Sequence, residues 1–421
     1  MNTLRAIFTN SDLRKRILYT LGLLVIFRML AHIPMPGVDL ASLREFFARN
    51  ELFGLLNLFT GGSMENFSLV LMGVGPYITS SIIFQLLVVI VPRLEELQKE
   101  GEQGRQKINQ YTRVLTVPLG ILQGYGTLFL LRNQGVIDLS LGFDLVVILL
   151  TITAGSMLLM WFGELISENG IGNGISLIIT LSILAGIPTA LSQTFAVADQ
   201  AGVINLMLFA LATLATTVAI VYVNEAERQI PITYARRVRG LEHRAGGVAT
   251  TLPLKVIMAG VIPIIFALSM MIFPPVVARF AQTIEVVWVQ DAAEWVTTLF
   301  NNNTFYAAAY FVLVVIFTFF YTFVIFQPEQ VAENIQRQGG FVPGIRPGRE
   351  TAEYLGAVLN RITLFGSLFL GLIAVLPFVI QGLTAVQTLV LGGTGILIVV
   401  AVTLDTMRQI RAHLITRRYE F

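Results

Sequence analysis

The chain has 421 residues, 55% of them hydrophobic and only 13% charged, against roughly a quarter charged in an average soluble protein. Its formal net charge of +2 provides no whole-chain field to attract nucleic acid, and the lack of cysteine excludes disulfide frameworks, thiolate metal sites and a thiol nucleophile. Three separated histidines, His32, His243 and His413, make no zinc-binding spacing and read as ordinary interfacial or loop residues.

Lipid is therefore the solvent to reason with, and a helix crossing about 30 Å of hydrocarbon needs around 20 apolar residues. Ten stretches meet that requirement, at 17–36, 69–91, 113–131, 144–163, 173–191, 203–223, 255–274, 305–326, 362–380 and 385–404. Arg5, Arg14, Lys15 and Arg16 before the first resemble the basic start of a signal peptide. That run is long and leaves through HIPMPG without an A-x-A site, so a retained span is expected. Residues 53–68, FGLLNLFTGGSMENFS, are apolar enough to enter a bundle but too short, and too broken by Gly61-Gly62, to cross it. A short helix folded back into an outer cavity and a plain interfacial loop both suit this segment.

The second span contains Gly73-Val74-Gly75-Pro76 and the seventh Gly260-Val261-Ile262-Pro263. Gly and Pro three apart inside an apolar helix are expected to loosen its hydrogen-bond ladder. Ten spans divide as five and five, 1–191 and 192–421, and an odd number per half makes the second half enter from the opposite face, the logic of inverted repeats. Paired interruptions at equivalent positions point to the working site.

Charge placement orients the bundle. Lys and Arg crowd the N-terminus, the segment 92–112, the loops 224–254 and 327–361 and the C-terminal tail, whereas the other side holds Arg44, Arg49, Arg132 and Arg279. By the positive-inside rule both termini are expected in the cytoplasm, in the cytoplasmic membrane. Within the spans Arg28 stands out, four residues before His32, and is expected to snorkel or pair inside the bundle rather than to do transport chemistry. Glu164 and Glu168 lie at a helix end, so no midplane carboxylate or His relay offers ion coupling, which favours a passive conduit over a carrier built from inverted repeats. No GxxxxGK[ST] loop, GxSxG elbow or HExxH pair supports an enzyme, and GIGNGIS at 170–176 lacks the strand-turn-helix setting of a dinucleotide site. The two long basic loops can serve topology alone, or dock an acidic protein surface or RNA phosphate.

Read together, PGV at 36–38, NLFTGGSMENFS at 57–68, GVGPYITSSIIFQLL at 73–87, EGEQGRQKINQYTR at 100–113, GIGNGIS at 170–176, QIPITYARRV at 229–238, PLKVIMAGVIPIIFA at 253–267, GGFVPGIRPG at 339–348 and LIVVAVTLD at 397–405 resemble the SecY family of translocation channels, in family order along nearly the whole chain. The resemblance implies an all-α integral membrane protein, a two-halved clamshell around an hourglass pore that passes secretory polypeptides across the membrane and releases membrane helices sideways into it, with no cofactor and no catalytic or metal-binding residues. It implies a pore ring at Val74, Ile78, Ile175, Ile179, Ile265 and Ile398, and a plug in 53–68 with Asn57, Gly61, Gly62 and Asn66. The implied lateral gate lies between spans two and seven, with Gly73, Pro76, Gln85, Gly260 and Pro263. Arg236, Arg237 and Arg346 match the loops that dock the SecA motor or the ribosome, and the implied partners also include SecE and SecG-like subunits, signal sequences, nascent polypeptides and membrane lipids. The sequence departs from the pattern at Ile257, where Asn is frequent, and at Glu242, where the loop tip is more basic.

Overall fold

A computed structural model of the chain describes residues 10–36, 60–133, 142–196, 200–234, 248–260, 262–282, 286–384 and 390–416, with isolated positions 38, 43, 47, 57, 135 and 137 between them. Helix α1 (Ser11–Leu30) starts where the Asn10 side chain accepts from the Asp12 N–H at 3.2 Å, satisfying one of the donors a helix start leaves open. Helix α2 (Gly75–Ile90) turns by 99° into α3 (Pro92–Lys99) at Val91, whose extended backbone suits the residue before a proline. The chain then runs through α4 (Glu102–Asn133), α5 (Phe143–Asn169), α6 (Gly174–Ala196) and α7 (Gln200–Glu225).

Strands β1 (Glu227–Tyr234) and β2 (Val248–Lys255) follow, then α8 (Ile262–Ala281), α9 (Val287–Asn301), α10 (Asn303–Ile325), α11 (Pro328–Arg337), β3 (Gly340–Phe341), α12 (Arg349–Thr384) and α13 (Val390–Thr416). Every expected span overlies a helix: α1, α2, α4, α5, α6, α7, α8, α10, α12 and α13. Among the described residues Phe143–Asn169, Asn303–Arg337 (α10 with α11) and Arg349–Leu376 are long and apolar enough to cross a membrane. Helices α6 and α8 run on through internal prolines, Pro188 in the first and Pro274-Pro275 in the second, and among the described residues their apolar stretches are Gly174–Pro188 and Ile262–Met271.

Large apolar side chains stand exposed along these helices, among them Val25, Met29, Leu150, Leu214, Ile316 and Leu372, as expected where lipid is the solvent. Since lipid tails are as apolar as leucine, helices associate through close packing instead of water exclusion. Small residues sit at the crossings: Gly120 of α4 against Thr153 of α5, Gly371 of α12 against Phe311 of α10, and Gly395 of α13 against Ile183 of α6. The main buried cluster draws on α1, α2, α5, α6, α7, α8, α10, α12 and α13, and includes Phe27, Leu159, Ile178, Phe266, Tyr310 and Leu397.

The polar loops hold the departure from an all-helical reading. Loop 224–254 is mostly an antiparallel hairpin, β1 with β2, in register from Glu227 opposite Lys255 to Tyr234 opposite Val248. Loop 327–361 supplies β3, which pairs Thr233 with Phe341 and Tyr234 with Gly340, giving a sheet in the order β2-β1-β3. QIPIT alternates polar and apolar residues, and Ile230 and Ile232 are buried against Ala332, Ile335, Val342 and Leu355. Much of loop 327–361 is also helical, since α12 starts at Arg349 and at 36 residues is far longer than a bilayer requires. Its protruding turns and α11 support the sheet. Leu355→Ala, at a fully buried position, is expected to cost about 2–5 kcal/mol locally, read as faster tryptic cleavage within 224–254 in detergent while the helical signal is kept.

Candidate functional site

All six residues expected in the ring fall in the main cluster: Val74, Ile179, Ile265 and Ile398 are buried, and Ile78 and Ile175 pack half-buried on it. Four helices deliver them. Val74 caps α2 and its carbonyl accepts from the Ile78 N–H one turn later at 3.0 Å. Ile175 and Ile179 are a turn apart near the start of α6, Ile265 lies in the first turn of α8 and Ile398 in α13. Ile175 also lies directly against Gly163 of α5.

The paired Gly and Pro motifs do not sit inside helices, contrary to the expectation from sequence. Gly73 and Gly260 take φ of 54° and 61°, in the left-handed region that glycine reaches without strain, and each helix begins two residues later, at Gly75 and Ile262. Pro76 and Pro263 are thus the second residues of α2 and α8, where a missing N–H leaves no helical bond unmade. The ladder is not loosened; it starts there. Ahead of α2 residues 69–74 make tight turns, and ahead of α8 the buried Ile257 lies in the irregular connection from β2, so both spans begin later than expected.

Within 53–68 the structure describes Asn57 and 60–68, so the expected short helix lies largely outside the described residues. What is described is a compact knot. The Asn57 side chain donates to Glu65 Oε2 at 2.9 Å and accepts from the Glu65 N–H at 3.0 Å, the Gly62 N–H donates to the Asn57 carbonyl at 2.9 Å, and the Asn66 N–H donates to the Gly62 carbonyl at 3.1 Å. A methyl group on Gly61 would lie 3.0 Å from Ser182 Cα of α6, and one on Gly73 would lie 3.3 Å from Thr60 Cγ2. The segment therefore touches α6 three residues from Ile179 and the entry to α2 beside Val74. From the other side Arg28 of α1 donates through Nη1 to the Gly61 carbonyl at 2.7 Å. This answers the question of what the arginine in the first span pairs with, and Arg28 carries the structural role expected of it. Glu65 escaped sequence reasoning. An acid eight residues after an asparagine in an apolar segment was its signal.

Helix α2 packs against α8 and, more extensively, against α4. The Gln85 side chain donates to Ser81 Oγ at 3.0 Å, and its carbonyl accepts from the Tyr321 hydroxyl of α10. Toward α4, Ser80 Oγ donates to the Thr112 carbonyl at 2.7 Å and Gln123 Nε2 to Thr79 Oγ1 at 3.2 Å. Tyr321 was not legible as a partner, because it lies 236 residues from Gln85.

Arg346 is exposed, with Nη1 3.8 Å from Glu350 Oε1, so its guanidinium stays available to solvent. Arg236, Arg237 and Glu242 lie outside the described residues, between β1 and β2 in the sequence; the last described pair of those strands is Tyr234 with Val248, and Tyr234 also pairs with Gly340, six residues before Arg346. Among the described residues no group of three His, Asp or Glu side chains could hold a metal ion.

Arg28 supplies a charge-assisted bond worth about 1.5–3 kcal/mol. Because the chain lacks cysteine, Ser63→Cys places a single thiol at a fully buried position of the knot. Adding Arg28→Ala is expected to speed its labelling by a soluble maleimide about 10- to 100-fold; an unchanged rate would mean that Arg28 does not hold the segment.

The SecY family model matches residues 68–407 of this chain. A protein translocase subunit SecY of Streptomyces coelicolor is 44% identical over 435 residues, covering 98% of this chain and 97% of that protein. One of the same description from Halalkalibacterium halodurans is 44% identical over 430 residues, covering 99% and 98%. Among solved structures, one described as a protein conducting channel superposes with a TM-score of 0.64 at 18% identity, covering 94% of this chain and 91% of that one. Canine Sec61 in a ribosome-channel complex from the endoplasmic reticulum gives 0.60 at 16% identity, covering 94% and 91%.

Proposed function

This chain belongs to the SecY family and is the channel subunit of a protein translocase, not an enzyme; from that premise we propose how its residues divide the work. Val74, Ile78, Ile175, Ile179, Ile265 and Ile398 form the constriction of the polypeptide path, and the segment around Asn57, Gly61, Gly62 and Asn66 is its plug. The observation that carries this reading is the seating of that segment: Gly61 lies against Ser182, close to Ile179, while Thr60 lies against Gly73, next to Val74. An apolar ring excludes ions by dewetting and yields around a polypeptide because it has no fixed hydrogen-bond pattern to satisfy.

In the same reading the halves are 1–191 and 192–421, and the seam between α2 and α8 is the lateral gate through which signal sequences and membrane helices reach lipid. The equivalent starts of the two helices, with Gly73 and Pro76 in one and Gly260 and Pro263 in the other, support it, as does the reach of Gln85 from α2 to Tyr321. The sheet and Arg346, with Arg236 and Arg237 in the sequence between β1 and β2, form the docking face for SecA or the ribosome, which supply the driving force. SecE and SecG-like subunits complete the complex. Both termini and the docking face lie in the cytoplasm, and the chain resides in the cytoplasmic membrane, the orientation that the Lys and Arg of the loops favour.

Ile78→Asn and Ile398→Asn are expected to wet the constriction and raise resting ion conductance of the reconstituted complex; unchanged conductance in both would remove these residues from the ring. Arg346→Glu is expected to lower the rate of motor-driven translocation severalfold with thermal stability unchanged, since its carboxylate contact is a long, exposed one. Normal transport would leave that loop a purely topological role.

A further inference from the structure

Helix α9 is 15 residues long, too short to cross a bilayer, and carries Gln290, Asp291 and Glu294. It lies between the end of α8 and the start of α10, so along the chain it is separated from the sheet by the length of α8. Twenty residues at 1.5 Å each make α8 about 30 Å long, close to the hydrocarbon thickness. If α8 spans the hydrocarbon, its length brings α9 to the level where hydrocarbon gives way to headgroups.

Its sequence divides into three stripes, each stepping by four, three and four residues as one face of a helix does. Val289, Ala293, Val296 and Phe300 face the bundle, with Ala293 buried and the other three half-buried. Trp288, Ala292, Trp295 and Leu299 make the second stripe, in which Trp288 is 73% and Trp295 68% exposed. Val287, Asp291, Glu294 and Thr298 make the third, all exposed. A surface helix in water needs two faces, one packed and one polar. This helix has a third, and it carries two of the three tryptophans of the chain.

Position and rigidity agree with that pattern. Helix α9 packs against both α8 and α10. Gln282 Nε2 donates to Thr297 Oγ1 at 3.3 Å, and Phe300 meets Phe305 edge to face at 5.5 Å. A single residue, Asn302, joins α9 to α10, and its side chain accepts from the N–H groups of Thr304 and Phe305. Exposed apolar side chains stand on α8 and α10, among them Met270, Val277, Phe305, Val312 and Ile316, and also on α9 and its N-cap, at Val286, Val287, Trp288 and Trp295. On membrane-spanning helices, such exposed apolar side chains are expected to meet lipid. Tryptophan favours the headgroup boundary, where the ring is apolar and the indole N–H still finds a partner.

We propose that α9 lies flat in the lipid interface on the side of the membrane opposite the sheet, with Trp288 and Trp295 inserted at the headgroup boundary as an anchor that holds the end of α8 at a fixed depth. The proposal goes beyond the channel reading and does not depend on it. If α8 is a gate helix, the anchor makes its far end responsive to the bilayer.

Because the chain has no cysteine, single nitroxide labels can be placed on the full-length protein at Ala292→Cys, Leu299→Cys, Glu294→Cys and Thr298→Cys, and read in vesicles of phosphatidylethanolamine and phosphatidylglycerol. The ratio of oxygen to aqueous nickel-chelate accessibility is expected to be severalfold higher at 292 and 299 than at 294 and 298. Trp288→Ser with Trp295→Ser is expected to raise nickel access at 299, and Trp288→Phe with Trp295→Phe to restore the lower value. High nickel access at all four positions would place α9 in water and overturn the proposal. Immobilised labels at 292 and 299, reached by neither reagent, would equally overturn it and assign the stripe to a second copy or another subunit.

Discussion

In hydrocarbon a backbone N–H or C=O without a partner costs several kcal/mol, and this constraint governs where the chain can be anything other than helix. Two irregular stretches among the described residues near the main cluster are shielded. Residues 60–74 close on themselves through turns and the bonds between Asn57 and Glu65, and the carbonyl of Gly61 is taken up by Arg28. The connection from β2 to α8 holds Ile257 and Ala259 in the buried cluster. A channel needs non-helical backbone near its path, since a bundle of unbroken spans packs shut. Among the described residues such backbone occurs ahead of α2 and α8, each with proline as its second residue, and also ahead of α6 at residues 171–173.

That arrangement changes what the Gly and Pro pairs mean. Loosened helices would bend and store strain. Helices that begin beside a buried cluster instead bring their first turns to its edge. Val74 and Ile78 at the start of α2, Ile175 and Ile179 near the start of α6 and Ile265 in the first turn of α8 all reach the cluster this way. Ile398 arrives along α13. Residues distant in sequence are therefore close in space because helix starts, rather than helix middles, converge.

Periodicity and hydropathy were enough for the ten spans, because membrane helices are long and the apolar signal is strong. Their ends were less legible. Gly73 and Gly260 read as interruptions, since nothing local distinguishes a left-handed glycine before a helix from one within it. The sheet was missed for a different reason: β1 pairs with β3 across more than a hundred residues, and the alternation in QIPIT is short. Arg28 was legible as an oddity and not as a contact, since its acceptor is a carbonyl 33 residues away. Glu65 and Tyr321 belong to the same class, residues whose partners only the fold brings near.

The central claim is that a moving polypeptide passes through the cluster holding the six apolar residues. The most direct test is disulfide crosslinking of a stalled secretory chain, bearing one cysteine, to single cysteines at Ile179 or Ile398, compared with cysteines at the lipid-facing Leu150 or Leu372. The account predicts crosslinks at the first pair that follow the position of the cysteine along the stalled chain, and none at the second. Crosslinks confined to Leu150 or Leu372 would contradict it.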